Sequence, residues 1–427
     1  MTKGVARWRS PNDRRAAVFF VVCLAAGVLV RLLLLPAPGL RGDLDQFVLW
    51  VHGIAVGGLP NAYDQNLSFP PVMAYIWGLL ATVDPAFRSV TDSSDPAIRA
   101  IMKLPATLAD FGLAALVAYA LRDRRPWAAI AAAAFLLHPA VIDLSAWWGQ
   151  YESIYMLSAL AATILAINGR AGWAAAALAV SLMTKPQVLP MLVPFAAWFW
   201  ATGGLRGLAR AAAIGIAVIV VLWLPFVPAG GPANYLRNVA EYQGDVFAIL
   251  SLRAWNLWWL LQVAIGGANF VLDSNPIIGP VTLRHVGLAA TAILEAFVAI
   301  AVVKDPRPRT LILALAASVL IAFCFLTTMH ERYSYGALVF LLLLIPDVRL
   351  RWLNLAFGTV FTLNLLWVAP PTPDIAVLIG TWIPLTVLGS VAMLAITAPI
   401  ILMLTRRPAS PATRGPVHPR RLAVHPP

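Results

Sequence analysis

The sequence alternates between long apolar runs and short polar gaps over most of its length. The first apolar run spans about residues 16–35 and stops at Pro36-Ala37-Pro38-Gly39. A helix needs about 18–20 apolar residues to cross a bilayer, so this pattern predicts an all-α, polytopic transmembrane protein. The runs within residues 1–405 predict about 12 transmembrane helices, and this even number places both termini in the cytoplasm.

Two polar stretches are longer than the gaps that separate the other runs. They cover residues 36–99 and 229–284. Inside the first, residues 71–83 are apolar but too few to cross, which predicts a helix lying in the membrane interface. Residues 255–262 are predicted to lie at the interface in the same way. The last segment, 406–427, is basic and rich in proline, and we predict a disordered cytoplasmic tail.

Composition and charge narrow the class of protein. Of the 427 residues, 60% are hydrophobic and only 12% are charged, which excludes an ordinary globular domain. The formal net charge of +12 would suit nucleic-acid binding, but many basic residues lie at the chain ends or in gaps at 122–125, 205–210, 304–309 and 349–351. Basic gaps mark the cytoplasmic side. We therefore predict a plasma or inner-membrane protein with both long polar stretches outside and no nucleic-acid partner.

Ionisable residues that are not basic anchors collect in the segments predicted to face outward. They are Asp43, Asp45, His138, Asp143, Glu152, Lys185, Arg237, Arg253, His330, Glu331 and Arg332. Charge at the edge of a membrane is costly unless it has a task, so these residues are functional candidates. Carboxylates opposite Lys, Arg and His suit group transfer from an anionic leaving group, because a carboxylate takes the proton while cations stabilise the departing phosphate.

Four segments, in order along the chain, resemble motifs of one group of glycosyltransferases. The segments are GDLDQFVLW with NLSFPPVMAY, HPAVIDLSAWWGQYES, SLMTKPQVLP and TTMHERYSYGAL. They are similar to motifs of the endoplasmic-reticulum glucosyltransferases that use dolichyl-phosphate-glucose, which belong to the GT-C superfamily, and of their bacterial relatives. The chain departs from that pattern at Asp45, where the family has Glu, at 147–149, where it has His-Gly-His, and at Arg332, where it has Lys. These departures leave the sugar and the acceptor open.

The resemblance implies an inverting glycosyltransferase that moves a hexose from a polyprenyl-phosphate donor to an extracytoplasmic hydroxyl on a lipid-linked or cell-envelope glycan. It implies that Asp43 is the general base and that no cofactor is needed. The predicted substrate-binding residues are Asp45, Trp148, Gln150, Glu152, Lys185, His330 and Arg332. Among these, Lys185, His330 and Arg332 are expected to hold the donor phosphate, since Arg provides a planar multidentate grip and Lys a point charge.

Several of these residues also have structural interpretations. Asp43 is suited to capping the interfacial helix, and Lys185 fits a cationic anchor at a helix end. Asp45 is compatible with a second base, a metal ligand or a solvated carboxylate. Hard oxygen ligands suit a divalent metal, but two carboxylates alone make a poor site, so a metal at Asp43 and Asp45 is not favoured. The run His330-Glu331-Arg332 fits an ion pair that tethers a helix.

A transporter or flippase of a lipid-linked sugar is the alternative function. Transporters commonly consist of two related halves with broken helices and a site near the membrane midplane. This sequence has no visible repeat, and its candidate residues fall at the predicted outer edge. The pattern therefore favours an enzyme.

Overall fold

The computed structural model describes residues 11–245, 248–267, 269–380 and 383–405, and the predicted tail at 406–427 lies outside this part. Within it the protein is all-α, with seventeen α-helices and four very short strands. The helices are α1 (Pro11–Leu34), α2 (Arg41–Gly57), α3 (Pro71–Val83), α4 (Pro96–Ala120), α5 (Arg125–Leu136), α6 (Pro139–Ile142), α7 (Glu152–Ile167), α8 (Ala171–Leu182), α9 (Leu192–Trp223), α10 (Gly231–Asp245), α11 (Leu257–Gly266), α12 (Leu283–Lys304), α13 (Pro308–Phe325), α14 (Tyr335–Leu342), α15 (Val348–Val368), α16 (Pro373–Gly380) and α17 (Ile383–Thr405). The strands are β1 (Ser251–Leu252), β2 (Pro276–Ile278), β3 (Val281–Thr282) and β4 (Met329–His330).

The length and apolar character of the helices make this a multi-pass membrane protein. In the described residues, six helical segments are long and apolar enough to cross a membrane, and two bent helix pairs raise the number to eight. The sequence predicted about twelve because it counted short apolar runs as crossings. One such run became α14, whose eight residues are all buried. A helix of that length spans only about 12 Å of a hydrocarbon core about 30 Å thick, so α14 packs inside the protein.

One candidate segment is twice the length of a single crossing. It covers Pro186–Ala229, with 44 residues. Its backbone leaves helical geometry at Gly204, where φ is 61° and ψ is −162°. Glycine adopts such a positive φ without a side-chain clash. The break adjoins the basic gap 205–210, so the segment consists of two shorter helices joined where the sequence predicted a turn.

Three of the basic gaps meet at one end of the helix bundle, which we call the basic end. Arg309 Nη2 lies 2.9 Å from Asp347 Oδ2, which joins the gap after α12 to the gap before α15. A small cavity is lined by Asp123 and Arg124 together with Arg309 and Asp347. The grouping of these gaps on one side is what the distribution of positive charge in membrane proteins requires.

The first long polar stretch is a folded unit. It contains α3, with the bounds that the sequence predicted, and also α2, which the sequence did not predict. The rings of Trp50 and Trp77 lie 5.2 Å apart between these two helices. The Val72 N–H, at the start of α3, donates to the carbonyl of Met183 at the end of α8 (2.9 Å). These contacts fix α2 and α3 against the end of the bundle that is opposite the basic end.

Candidate active site opposite the basic end

A cavity of about 760 Å³ opens between α2, the chain after α8, and the segment after α13. Its polar wall holds Asp43, Lys185, His330 and Arg332, four residues that the sequence singled out. The rest of the wall is mainly apolar and comes from the starts of α9 and α12 and the end of α13. We call this second part the apolar arm. A cavity of this size with few convergent polar groups is typical of a ligand site.

Asp43 lies in the first turn of α2 and is held by two side chains from another part of the chain. Trp148 Nε1 and Gln150 Nε2 both donate to Asp43 Oδ2, at 3.0 Å and 2.6 Å. The interpretation of Asp43 as the cap of the interfacial helix does not apply, because Asp43 lies inside α2 and the capping residue of α3 is Pro70. Two donors on one oxygen fix the carboxylate and keep it facing the cavity.

The chain around Trp148 is shaped so that both donors reach Asp43. Residues 143–148 form a π-helix, a form that is common at functional sites. Gly149 then takes a left-handed conformation with φ 90°. A Cβ there would lie 3.1 Å from both Leu44 Cδ1 and Lys103 Cγ. Glycine is needed because the turn is left-handed and the space is tight.

Lys185 and Arg332 share a carboxylate at the polar wall. Lys185 Nζ lies 2.5 Å from Glu152 Oε1, and Arg332 Nε lies 3.4 Å from the same atom. Arg332 Nη1 also donates to Glu331 Oε1 at 2.8 Å. All four side chains are mostly buried. Together with Asp43, Trp148 and Gln150 they form what we call the cavity cluster.

Further contacts hold the two cations in place. The Arg332 guanidinium lies 5.3 Å from the ring centre of Trp148, and Lys185 Nζ lies 5.7 Å from that of Phe69. A lysine has three N–H donors and an arginine has five. In the described residues Lys185 donates only to Glu152. Both cations therefore keep donors for a bound anion.

Burial and neighbouring charges set the protonation of this cluster. Burial, reinforced by Arg332, lowers the pKa of His330. Burial alone would raise the pKa of Glu331, but the charge of Arg332 and a hydrogen bond with His330 outweigh it and lower that pKa to about 2. Burial lowers the pKa of Lys185, although Glu152 opposes the shift. Near neutral pH His330 is thus the uncharged member of the group.

His330 is positioned by a short strand pairing. It lies on β4, which pairs in parallel with β1, and Leu252 is its partner across the ladder. Two residues beside this pairing, Arg253 and Thr328, have a positive φ of 62° although neither is glycine. Such backbone conformations cost energy and concentrate at functional sites. The strand pairing fixes the His330 backbone at the cavity wall.

Asp45 does not join Asp43. Its Oδ1 accepts hydrogen bonds from the backbone N–H of Ser93 (2.8 Å) and from the Ser93 hydroxyl. It is also absent from the cavity wall. The described residues contain no group of three or more His, Cys, Asp or Glu side chains placed to hold a metal ion. The substrate-binding role predicted for Asp45 therefore has no counterpart in this geometry.

Other outward candidates lie elsewhere. His138 caps α6, where its ring accepts from the N–H of Ala140 at 3.2 Å. Arg237 is exposed and lies 4.0 Å from Glu241 on the same helix. Asp143 is buried in the π-helix, and neither it nor Arg253 lines the cavity.

Among the residues of the cavity wall that the sequence did not single out are Gln187, Tyr242 and Tyr333. Two of these three could have been identified from their positions in the sequence, because Gln187 lies two positions after Lys185 and Tyr333 follows Arg332 directly. Tyr242 could not be identified in this way, since it comes from α10 in the second long polar stretch. Only the packing of α10 beside the first long stretch brings Tyr242 to the cavity.

In comparisons of the whole chain, no protein-family model matches and no curated protein matches significantly.

Proposed function

We propose that this protein is a membrane-embedded inverting glycosyltransferase that takes a hexose from a polyprenyl-phosphate donor and places it on an extracytoplasmic hydroxyl. One observation carries the proposal. A single cavity is lined by a fixed carboxylate, by two cations with donors to spare, and by an apolar arm between α9, α12 and α13. The fixed carboxylate and the two cations suit the sugar and the phosphate of the donor, and the apolar arm suits the hydrocarbon chain of a lipid substrate.

In the proposed reaction, the oxygen of the acceptor hydroxyl attacks the anomeric carbon of the hexose. Asp43 accepts the proton that this hydroxyl loses. The bond between that carbon and the phosphate oxygen breaks, and its electron pair leaves with the polyprenyl phosphate. Lys185 and Arg332 stabilise the phosphate, with His330 beside them. One displacement with one general base inverts the anomeric centre, so a second catalytic carboxylate is not needed.

The supporting residues divide into two roles. Trp148 and Gln150 hold the carboxylate of Asp43 through its Oδ2 atom. Glu152 holds Lys185 and Arg332 side by side through its Oε1 atom. Gln150 Oε1 and Glu152 Oε2 are buried without a hydrogen-bond partner in the described residues. Neither side chain lines the cavity, so both act behind the cavity wall by holding the groups that do line it.

The test measures transfer of a radiolabelled hexose from its polyprenyl phosphate in membranes that contain wild type, Asp43→Asn or Asp45→Asn. The Asp43→Asn side chain still accepts from Trp148 and Gln150 but is no longer a base, so transfer should fall by at least about 100-fold. Asp45→Asn is the matched control, since Asp45 contacts Ser93 instead of the cavity. It should transfer within about twofold of wild type.

Two outcomes would contradict the proposal. Equal transfer by wild type and Asp43→Asn would show that Asp43 is not the base. A wild type that moves lipid-linked sugars across vesicle membranes without transferring the sugar would favour the transporter. Equal amounts of each variant in the membrane, checked by immunoblot, make the comparison valid.

A further inference from the structure

Two polar side chains lie within the apolar arm of the cavity. Thr291 and Glu295 are four residues apart on α12, so they share one face of the helix and lie about 6 Å apart along its axis. Both line the cavity. They are 9% and 7% exposed, so each is more than nine-tenths buried. Ionisable residues inside a membrane helix are functional candidates by default.

The hydrogen bonds of this pair are incomplete. Ser318 of α13 donates to Glu295 Oε2 at 2.7 Å. Glu295 Oε1 and Thr291 Oγ1 have no hydrogen-bond partner among the described residues. Leaving such groups unpaired in apolar surroundings costs free energy. A ligand in the arm that pairs with both atoms would recover this free energy.

The charge state of Glu295 indicates the chemistry of that ligand. The neighbouring wall residues of the arm are apolar, and no Lys, Arg or His contacts Glu295 in the described residues. An ionised carboxylate without a cation is strongly disfavoured in such surroundings, which favours the neutral acid. With Oε2 occupied by Ser318, the free oxygen then carries an O–H donor. Glu295 and Thr291 therefore present two donors, one helical turn apart, to whatever fills the arm.

We infer that the apolar arm binds an acyl-ester lipid, whose two ester carbonyls accept hydrogen bonds from Glu295 and Thr291. A polyprenyl chain contains only hydrocarbon and leaves both donors unpaired. An ester carbonyl is a pure acceptor and matches both. The inference rests on the proposed function in one respect, because it takes the ester lipid to be the lipid part of the acceptor. The glycan of that acceptor would reach Asp43. Binding of the lipid itself does not depend on sugar transfer.

The experiment compares two lipids that differ only at the ester positions. Purified protein in detergent is incubated with radiolabelled diacyl phosphatidic acid or with its dialkyl ether analogue of equal chain length, and the bound lipid is counted. Two hydrogen bonds to neutral groups predict an affinity for the ester lipid about tenfold higher in wild type. Because the assay involves no sugar, its result is independent of the transfer experiment.

Variants assign the preference to the two side chains. Glu295→Leu should abolish most of the preference for the ester lipid over the ether lipid. Glu295→Gln keeps an N–H donor and should retain more of this preference. Thr291→Val should reduce it about threefold. Thr362→Val is the matched control, because the Thr362 hydroxyl already donates to the Gly358 carbonyl of its own helix at 2.7 Å. This control should leave the preference unchanged.

Three results would overturn the inference: equal binding of ester and ether lipids by wild type, an unchanged preference in Glu295→Leu, or a loss in Glu295→Gln as large as in Glu295→Leu. The last result would mean that a hydrogen-bond donor at position 295 is not what recognises the ester carbonyl. Elution volume in gel filtration confirms that each variant is folded.

Discussion

Two clusters of buried charge lie in this protein, and they differ in what surrounds them. In the first, which we call the Arg31 cluster, Arg31 of α1 pairs with Asp110 of α4 at 2.8 Å. Asp110 also accepts from Ser145 and Ser153, and Arg31 Nη1 donates to the carbonyl of Leu136. The second is the cavity cluster around Lys185 and Arg332. Both are buried and paired.

The difference is that the Arg31 cluster is closed and the cavity cluster is open. Both oxygens of Asp110 accept hydrogen bonds, and neither Asp110 nor Arg31 lines the cavity. Buried polar atoms without a hydrogen-bond partner occur in both clusters of the described part, but only in the cavity cluster do a carboxylate and two cations line the cavity. Burial and pairing alone therefore do not identify a functional charge. The position of charged side chains at the wall of a cavity does.

The largest expected effect is on stability, in the Arg31 cluster. Asp110→Asn leaves the Arg31 guanidinium buried without its counter-charge, which should destabilise the protein by about 3–5 kcal/mol. Thermal unfolding in detergent measures this change. Glu152→Gln is the counterpart in the open cluster and should lower the melting temperature less, since Glu331 still balances Arg332. Equal destabilisation by both changes would mean that the two clusters are alike.

The same substitution in both clusters should separate activity from stability. Arg332→Lys keeps the charge but loses the planar fork, so hexose transfer should fall by about 10- to 100-fold. Arg31→Lys should instead lower the melting temperature and leave the transfer rate per folded molecule unchanged. The two readouts are initial transfer rate and thermal unfolding of the same preparations. Comparable loss of activity in both variants would contradict the distinction.

The pH dependence of donor binding should be smaller. With His330 neutral, Lys185 and Arg332 are paired with Glu152 and Glu331, so a bound phosphate is stabilised further when His330 takes up a proton. A bound anion raises the pKa of His330 from its lowered value, and proton uptake then accompanies binding. Donor affinity should therefore rise about threefold as the pH falls from about 8 to 6. His330→Asn should flatten this dependence, and a slope of opposite sign would exclude the role of His330.

The smallest effect is expected at Asp45. In Asp45→Asn the amide oxygen still accepts from Ser93, so stability should change by less than about 1 kcal/mol. A chelator should leave hexose transfer unchanged in both wild type and this variant. A loss of hexose transfer in Asp45→Asn, or on addition of the chelator, would indicate that Asp45 is a metal or substrate ligand.

Part of the site was accessible from the sequence because charge in a membrane protein is rare. Asp43, Lys185, His330 and Arg332 stand out against apolar runs, and they lie on one cavity. Trp148 and Gln150 were also singled out, but as contacts for the substrate. In the structure both donate hydrogen bonds to Asp43. That contact depends on a π-helix and a left-handed glycine, which have no signature in hydrophobic periodicity.

The sequence by itself determined the class of protein, the apolar helices and the bounds of α3, because these follow from local hydrophobicity and from proline at a helix start. It did not reveal α2, the short buried α14, or the pairing of Arg31 with Asp110. The tertiary structure decided those, and it also decided which charges face a cavity. The physical reason is that burial and hydrogen bonding between distant segments depend on packing, which the order of residues along one segment does not specify.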